Sequence, residues 1–142
     1  MRATVKWFGD AAFEGTADSG HVVRMDGPPE FGGRDTGVRP MEMLLLGLGG
    51  CTAFDVVHIL QRGRHSISDC VVDIEAERSP TPPKVFTTIH LHYRVSGKGL
   101  RSAAVRRAVE LSAEKYCSAS IMLAQAAELT HDYEVVDDLT GQ

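Results

Sequence analysis

Cysteine is scarce in this chain: three in 142 residues, an odd number that cannot pair off within one molecule. No apolar export segment precedes them, because Met1-Arg2-Ala3-Thr4-Val5-Lys6-Trp7-Phe8 alternates in polarity. They therefore read as reduced thiols of a cytoplasmic protein. Positive charge is also in short supply. Fifteen Lys and Arg stand against 19 Asp and Glu, for a net charge of -4. The basic residues form no stripe, which excludes a nucleic-acid footprint. Long hydrophobic runs are missing too: the longest uncharged apolar stretch, between Glu42 and Asp55, falls short of the roughly 20 residues a membrane span needs. Gly32-Gly33 lacks the strand and helix flanks of a phosphate loop, and no serine–histidine–aspartate pattern stands out.

What remains is an ordinary globular composition, 43% hydrophobic and 24% charged. It predicts one domain over residues 1–142 with a respectable core. Strand-like runs at Thr4–Phe8, Ala12–Thr16 and Gly20–Asp26 predict a small antiparallel sheet, with Asp18-Ser19-Gly20 as a turn. The Gly- and Pro-rich stretch 27–37 has no apolar period and reads as a flexible surface loop. Pro40 then opens a helix expected to run to Arg62, with a stop at Gly63-Arg64-His65. This helix is apolar on nearly every side, the mark of an element packed all round, inside a core or between subunits. Alternation predicts a hairpin from Ser68–Glu77 and Val85–Val95 with one wet face. A helix over Arg101–Tyr116, a shorter helical stripe from Ala119 to Ala127, a strand over Leu129–Val136 and a tail over 137–142 complete an α+β chain.

Two cysteines sit where chemistry is expected. Cys51 lies in Gly47-Leu48-Gly49-Gly50-Cys51-Thr52, and each glycine inside a helix costs about 1 kcal/mol relative to alanine. Close approach of a backbone or a ligand is the usual compensation. Cys51 is thus either a small filler at a tight crossing or a reactive thiol. Cys117 sits at the break Tyr116-Cys117-Ser118, where the start of a new helix would favour a thiolate; the bland reading is an inert cap residue. Cys70 alternates with Val72 and Ile74, as a core residue does. His90 and His92 share a strand face with legitimate metal-ligand spacing, but no third ligand is near, so no metal is expected. If Cys51 and Cys117 meet, through tertiary or dimer contacts, a peroxide could oxidise one and the other could condense with it to a disulfide.

The chain resembles the OsmC/Ohr superfamily of stress-linked thiol proteins, and most closely its YhfA-like branch. The resemblance covers nearly the whole chain. It is carried by Pro40-Met41-Glu42-Met43, Gly49-Gly50-Cys51, Asp55-Val56-Val57, Ala113-Glu114-Lys115-Tyr116-Cys117-Ser118 and His131-Asp132-Tyr133-Glu134-Val135-Val136. It implies an intertwined homodimer in which antiparallel sheets wrap two long central helices, with the two cysteines meeting at the subunit interface. It also implies hydroperoxide reduction in which Cys51 attacks, Cys117 resolves, an external dithiol reduces the product and no cofactor takes part. Peroxidase members carry a Glu directly after the helix-opening proline, where this chain has Met41. Glu42 follows, and at about 100° per residue it falls roughly opposite Cys51. They also use an Arg before this helix, for which Arg34 and Arg39 are candidates by proximity. A dimer that binds or senses a small apolar or electrophilic ligand, without turnover, is the competing expectation.

Overall fold

The computed structural model describes residues 1–138, and the chain folds as two compact units that divide at Leu46/Gly47. In the first, β1 (Ala3–Trp7), β2 (Phe13–Ala17) and β3 (Val22–Met25) form an antiparallel sheet in that order, with Trp7 opposite Phe13 and Phe13 opposite Met25. Gly20, at φ 84°, supplies the left-handed turn residue that Asp18-Ser19-Gly20 predicts. The sheet leaves its large apolar side chains in solvent: Val5, Trp7, Phe8 and Val22 are all more than half exposed.

The stretch 27–37 folds around one carboxylate. Asp26, only 2% exposed, accepts hydrogen bonds from the amides of Gly27 (2.7 Å), Arg34 (3.3 Å) and Thr36 (3.1 Å), and from the Thr36 hydroxyl. The returning chain bridges to β3 at Met25 and Val38. Gly37 passes so close to Arg24 that a Cβ there would lie 2.6 Å from its carbonyl oxygen.

Helix α1 (Pro40–Arg62) has the bounds the sequence predicts. Pro40 occupies its first turn, and the Glu42 carboxylate reaches back to accept the Arg39 amide at 2.8 Å, one half of a capping box. The stop at Gly63-Arg64-His65 is a Schellman turn. The His65 amide donates to the Leu60 carbonyl and the Arg64 amide to that of Gln61, with Arg64 itself in the left-handed conformation at φ 62°. An 18-residue window of the 23-residue α1 has a mean hydropathy of 1.8, long and apolar enough to cross a membrane by length and composition, a measure that the core helix of a soluble protein also meets. Within one chain α1 is buried on one face only, which fits the second of the two placements expected of it, between subunits. Leu48, Thr52, Val56 and Leu60 form one buried stripe, whereas Leu44, Leu46 and Phe54 are exposed.

In the second unit β4 (Ser66–Arg78), β5 (Phe86–Lys98) and β6 (Glu128–Asp137) make a sheet in that order. β4 and β5 are the antiparallel hairpin, and Ile89, Leu91, Tyr93 and Val95 are its buried row. β6 runs parallel to β5, so this sheet is mixed rather than antiparallel throughout. The reason is the connection: a parallel neighbour needs a crossover, and α2 (Ser102–Leu111) and α3 (Ser118–Leu123) supply it. Val105, Ala108 and Val109 bury the inner face of α2. Asp137 ends β6, and the Asp138 amide donates to the Gly97 carbonyl. Residues 139–142, the rest of the expected tail, lie outside the described residues.

The bonds to Asp26 hold its carboxyl down at about 2. A depressed carboxyl stabilises the fold above its unfolded value, and that contribution is lost as pH falls through the folded value. NMR titration should therefore show Asp26 and the Thr36 amide shift moving together near pH 2. A shared midpoint near the ordinary carboxyl value would contradict the observed arrangement.

Candidate functional site

Helix α2 does not stop cleanly at Leu111. It widens into a π-turn over Ser112–Tyr116, and the Cys117 amide donates to the Ser112 carbonyl at 2.8 Å. Such turns are uncommon and recur at functional sites. The turn leaves Cys117 extended (φ -79°, ψ 104°) as the N-cap of α3, with its Sγ accepting the Ser120 amide at 3.3 Å. Cys117 is fully buried. Cys51, half-buried on α1, lies close enough to raise the Cys117 thiol. Two cysteines far apart in the sequence are thus neighbours inside one protomer.

The thiolate expected of Cys117 at a helix start is not its resting form. Burial pushes this thiol up, outweighing the hydrogen bonds from Ser120 that pull it down, and Cys51 raises it further. A six-residue helix with one amide aimed at the sulfur offers too little to offset the lost solvation. Burial likewise raises the Cys70 thiol, with help from the charge of Asp69. Cys70 is half-buried on β4 and lines a hollow of about 340 Å³ together with Gly50, Phe54 and His58.

Behind the thiols runs a buried relay of hydroxyls. Thr52 Oγ1, next to Cys51, lies 2.7 Å from both the Tyr93 hydroxyl and Ser112 Oγ. Ser112 Oγ donates to Asp55 Oδ2 at 3.0 Å. An ionised carboxylate only accepts, so the remaining protons are assigned in one direction: Tyr93 donates to Thr52, and Thr52 to Ser112. Tyr93 fits the donor end, since burial above all pushes its phenol up to about 12. Sequence reasoning missed this relay. Ser112 and Tyr93 fall on faces otherwise built of Val, Ala, Leu and Ile, and a hydroxyl on such a face was the available signal.

The other candidates have definite places. Glu42 holds the Arg39 amide, the Arg39 guanidinium pairs with Asp35 at 2.7 Å, and that of Arg34 pairs with Asp10 at 3.1 Å. His90 and His92 form an exposed ladder with Thr130, Asp132 and Glu134 at 2.6–3.1 Å, in which Asp132 raises His92. Among the described residues, no group of three His, Cys, Asp or Glu is arranged to hold a metal ion. Of the three helical glycines, only Gly49 meets a close neighbour, Ile74 Cδ1, 3.0 Å from where its Cβ would be. Gly47 and Gly50 face nothing within 4 Å in this chain.

Known proteins share this arrangement of elements. The sequence pattern described as OsmC-like protein matches residues 32–132. Protein YhfA of Escherichia coli (strain K12) is 50% identical over 136 residues, covering 96% of this chain and 98% of that protein. Among solved structures, a hypothetical protein from Aquifex aeolicus VF5 is 28% identical with a TM-score of 0.85, covering 96% of each chain. An organic hydroperoxide resistance protein OsmC from Legionella pneumophila is 19% identical with a TM-score of 0.68, over 96% of this chain and 97% of its own, and shares the fold.

Ser112→Ala cuts the relay between α1 and the π-turn while leaving Thr52 and Asp55 in place. One buried partner lost should cost about 1–3 kcal/mol in denaturant unfolding. It should also slow closure of a Cys51–Cys117 disulfide relative to the unmodified protein. Unchanged stability would show that the relay does not hold these elements together.

Proposed function

The chain belongs to the OsmC-like protein family, and on that premise we propose that it reduces organic hydroperoxides, with Cys51 attacking and Cys117 resolving. The observation that carries this reading is the nearness of the two thiols within one protomer, close enough for Cys51 to raise Cys117. The description of the Legionella pneumophila protein as an organic hydroperoxide resistance protein supports the substrate class.

The chemistry follows from the surroundings of each sulfur. The Cys51 thiolate attacks the O–O bond of R–O–O–H. An S–O bond forms, the O–O bond breaks, and the alkoxide takes a proton to leave as R–OH. The two-electron oxidation leaves Cys51 as a sulfenic acid. Cys117, whose thiol is held protonated by burial, does not compete for peroxide. Once Cys51 carries the oxygen, the Cys117 sulfur bonds to it, and the hydroxide leaves with the Cys117 proton as water. An external dithiol then reduces the disulfide by two exchanges and is itself oxidised. No cofactor is required. Arg34, Arg39 and Glu42 stay in this reading as supporting charges, each needing first to release the partner it holds.

We place the protein in the cytoplasm as a homodimer. Supporting the dimer are the half-exposed or more exposed Val5, Trp7, Phe8, Leu46 and Phe54, more apolar side chain than a small monomer usually leaves in water. Sedimentation should accordingly give twice the 15.4 kDa chain mass.

Steady-state assays with cumene hydroperoxide and a dithiol test the activity. Cys51→Ser should abolish turnover. Cys117→Ser should allow one round and then stall without a dithiol-reducible disulfide. Cys51→Ser turning over like the unmodified protein would refute the mechanism. Oxidation of one equivalent without turnover would instead mark a sensor or binder.

A further inference from the structure

We infer that the cleft between α1 and α2 in the second unit is a binding site for an organic anion, a ligand bearing a carboxylate or phosphate group held by Arg62 and Arg107. The cleft has a volume of about 640 Å³, within the roughly 300–1,000 Å³ of small-molecule sites. It is a different surface from the thiol pair, and the inference stands whether or not the thiols turn over.

Two arginines from different helices, Arg62 of α1 and Arg107 of α2, line it. Arg34, Arg39 and Arg94 each have a carboxylate partner. The side chains of Arg62 and Arg107 make no ion pair or hydrogen bond among the described residues. Like charges facing one cleft repel, and a shared anion removes that repulsion while meeting the planar, forked donors that arginine presents. The single carboxylate in the lining, Asp55, accepts the Ser112 hydroxyl at 3.0 Å and forms an ion pair with neither arginine. The protein is acidic overall, at -4, so an anion gains here from local placement and not from the general field.

The walls favour a ligand with an organic body. Ile59, Leu111 and the Tyr116 ring line the cleft beside the two arginines, together with His58, whose ring stacks on Phe54 at 5.8 Å. The spacing Cys51, Asp55, His58, Arg62 keeps one face of α1, at about 100° and 1.5 Å per residue. Arg62 therefore lies about 16 Å along the helix axis from Cys51. At the other end Tyr116 adjoins Cys117. A ligand anchored at the arginines would extend its body along α1 towards the thiols.

Calorimetric titration of the full chain with octanoate, octyl phosphate and octanol isolates the charged group on a constant body. The anions should bind, and octanol should bind at least tenfold more weakly. A preference for octanoate or for octyl phosphate would support the site equally and identify the headgroup. Arg62→Ala combined with Arg107→Ala, both exposed positions, should melt like the unmodified protein yet weaken anion binding at least tenfold. NMR shifts at His58 and Tyr116 of the unmodified protein should move with added anion, giving a readout that needs no variant. Cys51→Ser should bind the anions undiminished, which separates this site from the peroxide chemistry. Equal binding of octanol and octanoate, or undiminished binding by the double variant, would overturn the proposal.

Discussion

The hydrogen bond between Thr52 and Ser112 ties helix α1 to the π-turn that ends α2. The two residues adjoin the chemistry from opposite sides: Thr52 follows Cys51 in α1, and Ser112 accepts the Cys117 amide on its carbonyl. One pair of hydroxyls therefore fixes the separation of two sulfur atoms that belong to elements far apart in the chain. Asp55 at one end and Tyr93 at the other leave no hydroxyl of the relay without a partner. A buried polar chain of this kind is stable when every member is satisfied and costly when one is lost. That explains its position at the centre of the second unit, between α1, α2 and β5.

Burial decides the electrostatics of the site. A cysteine at a helix N-terminus is ordinarily easier to ionise, yet the net direction at Cys117 is upward because solvation is lost and a second thiol faces it. The same balance lifts the Tyr93 phenol. A thiol kept protonated beside another sulfur suits a group that acts second, after its neighbour has been oxidised. The opposite case appears at Asp26, where three amides and a hydroxyl overcome burial and hold the charge. The number of donors aimed at the buried group separates the two outcomes.

Much of the fold was legible because its signals are local. Pro40 and the Gly63-Arg64-His65 stop delimit α1 to the residue, and period-two alternation finds the β4–β5 hairpin. The parallel pairing of β6 was not legible, since register between strands separated by a crossover leaves no local mark. The π-turn was visible only as a break at Tyr116-Cys117, because one extra residue in a helical turn does not alter composition. Which face of α1 packs within the chain was not legible for a similar reason. Its hydrophobicity is uniform, so nothing in the pattern distinguishes the stripe through Leu48 and Val56 from the exposed Leu46 and Phe54. The motifs around Cys51 and Cys117 identified both thiols, but spacing alone could not say that they are neighbours. The hydroxyl relay went unseen because Thr52, Ser112 and Tyr93 each fit an apolar stripe by position.

The account rests on Cys51 and Cys117 forming a covalent pair in response to peroxide. Peptide mapping by mass spectrometry after one equivalent of organic hydroperoxide tests this most directly. The account predicts a peptide joining Cys51 to Cys117, reversed by a dithiol, with Cys70 still free. Recovery of Cys51 as a stable oxyacid with Cys117 unmodified, or of a disulfide through Cys70, would contradict it.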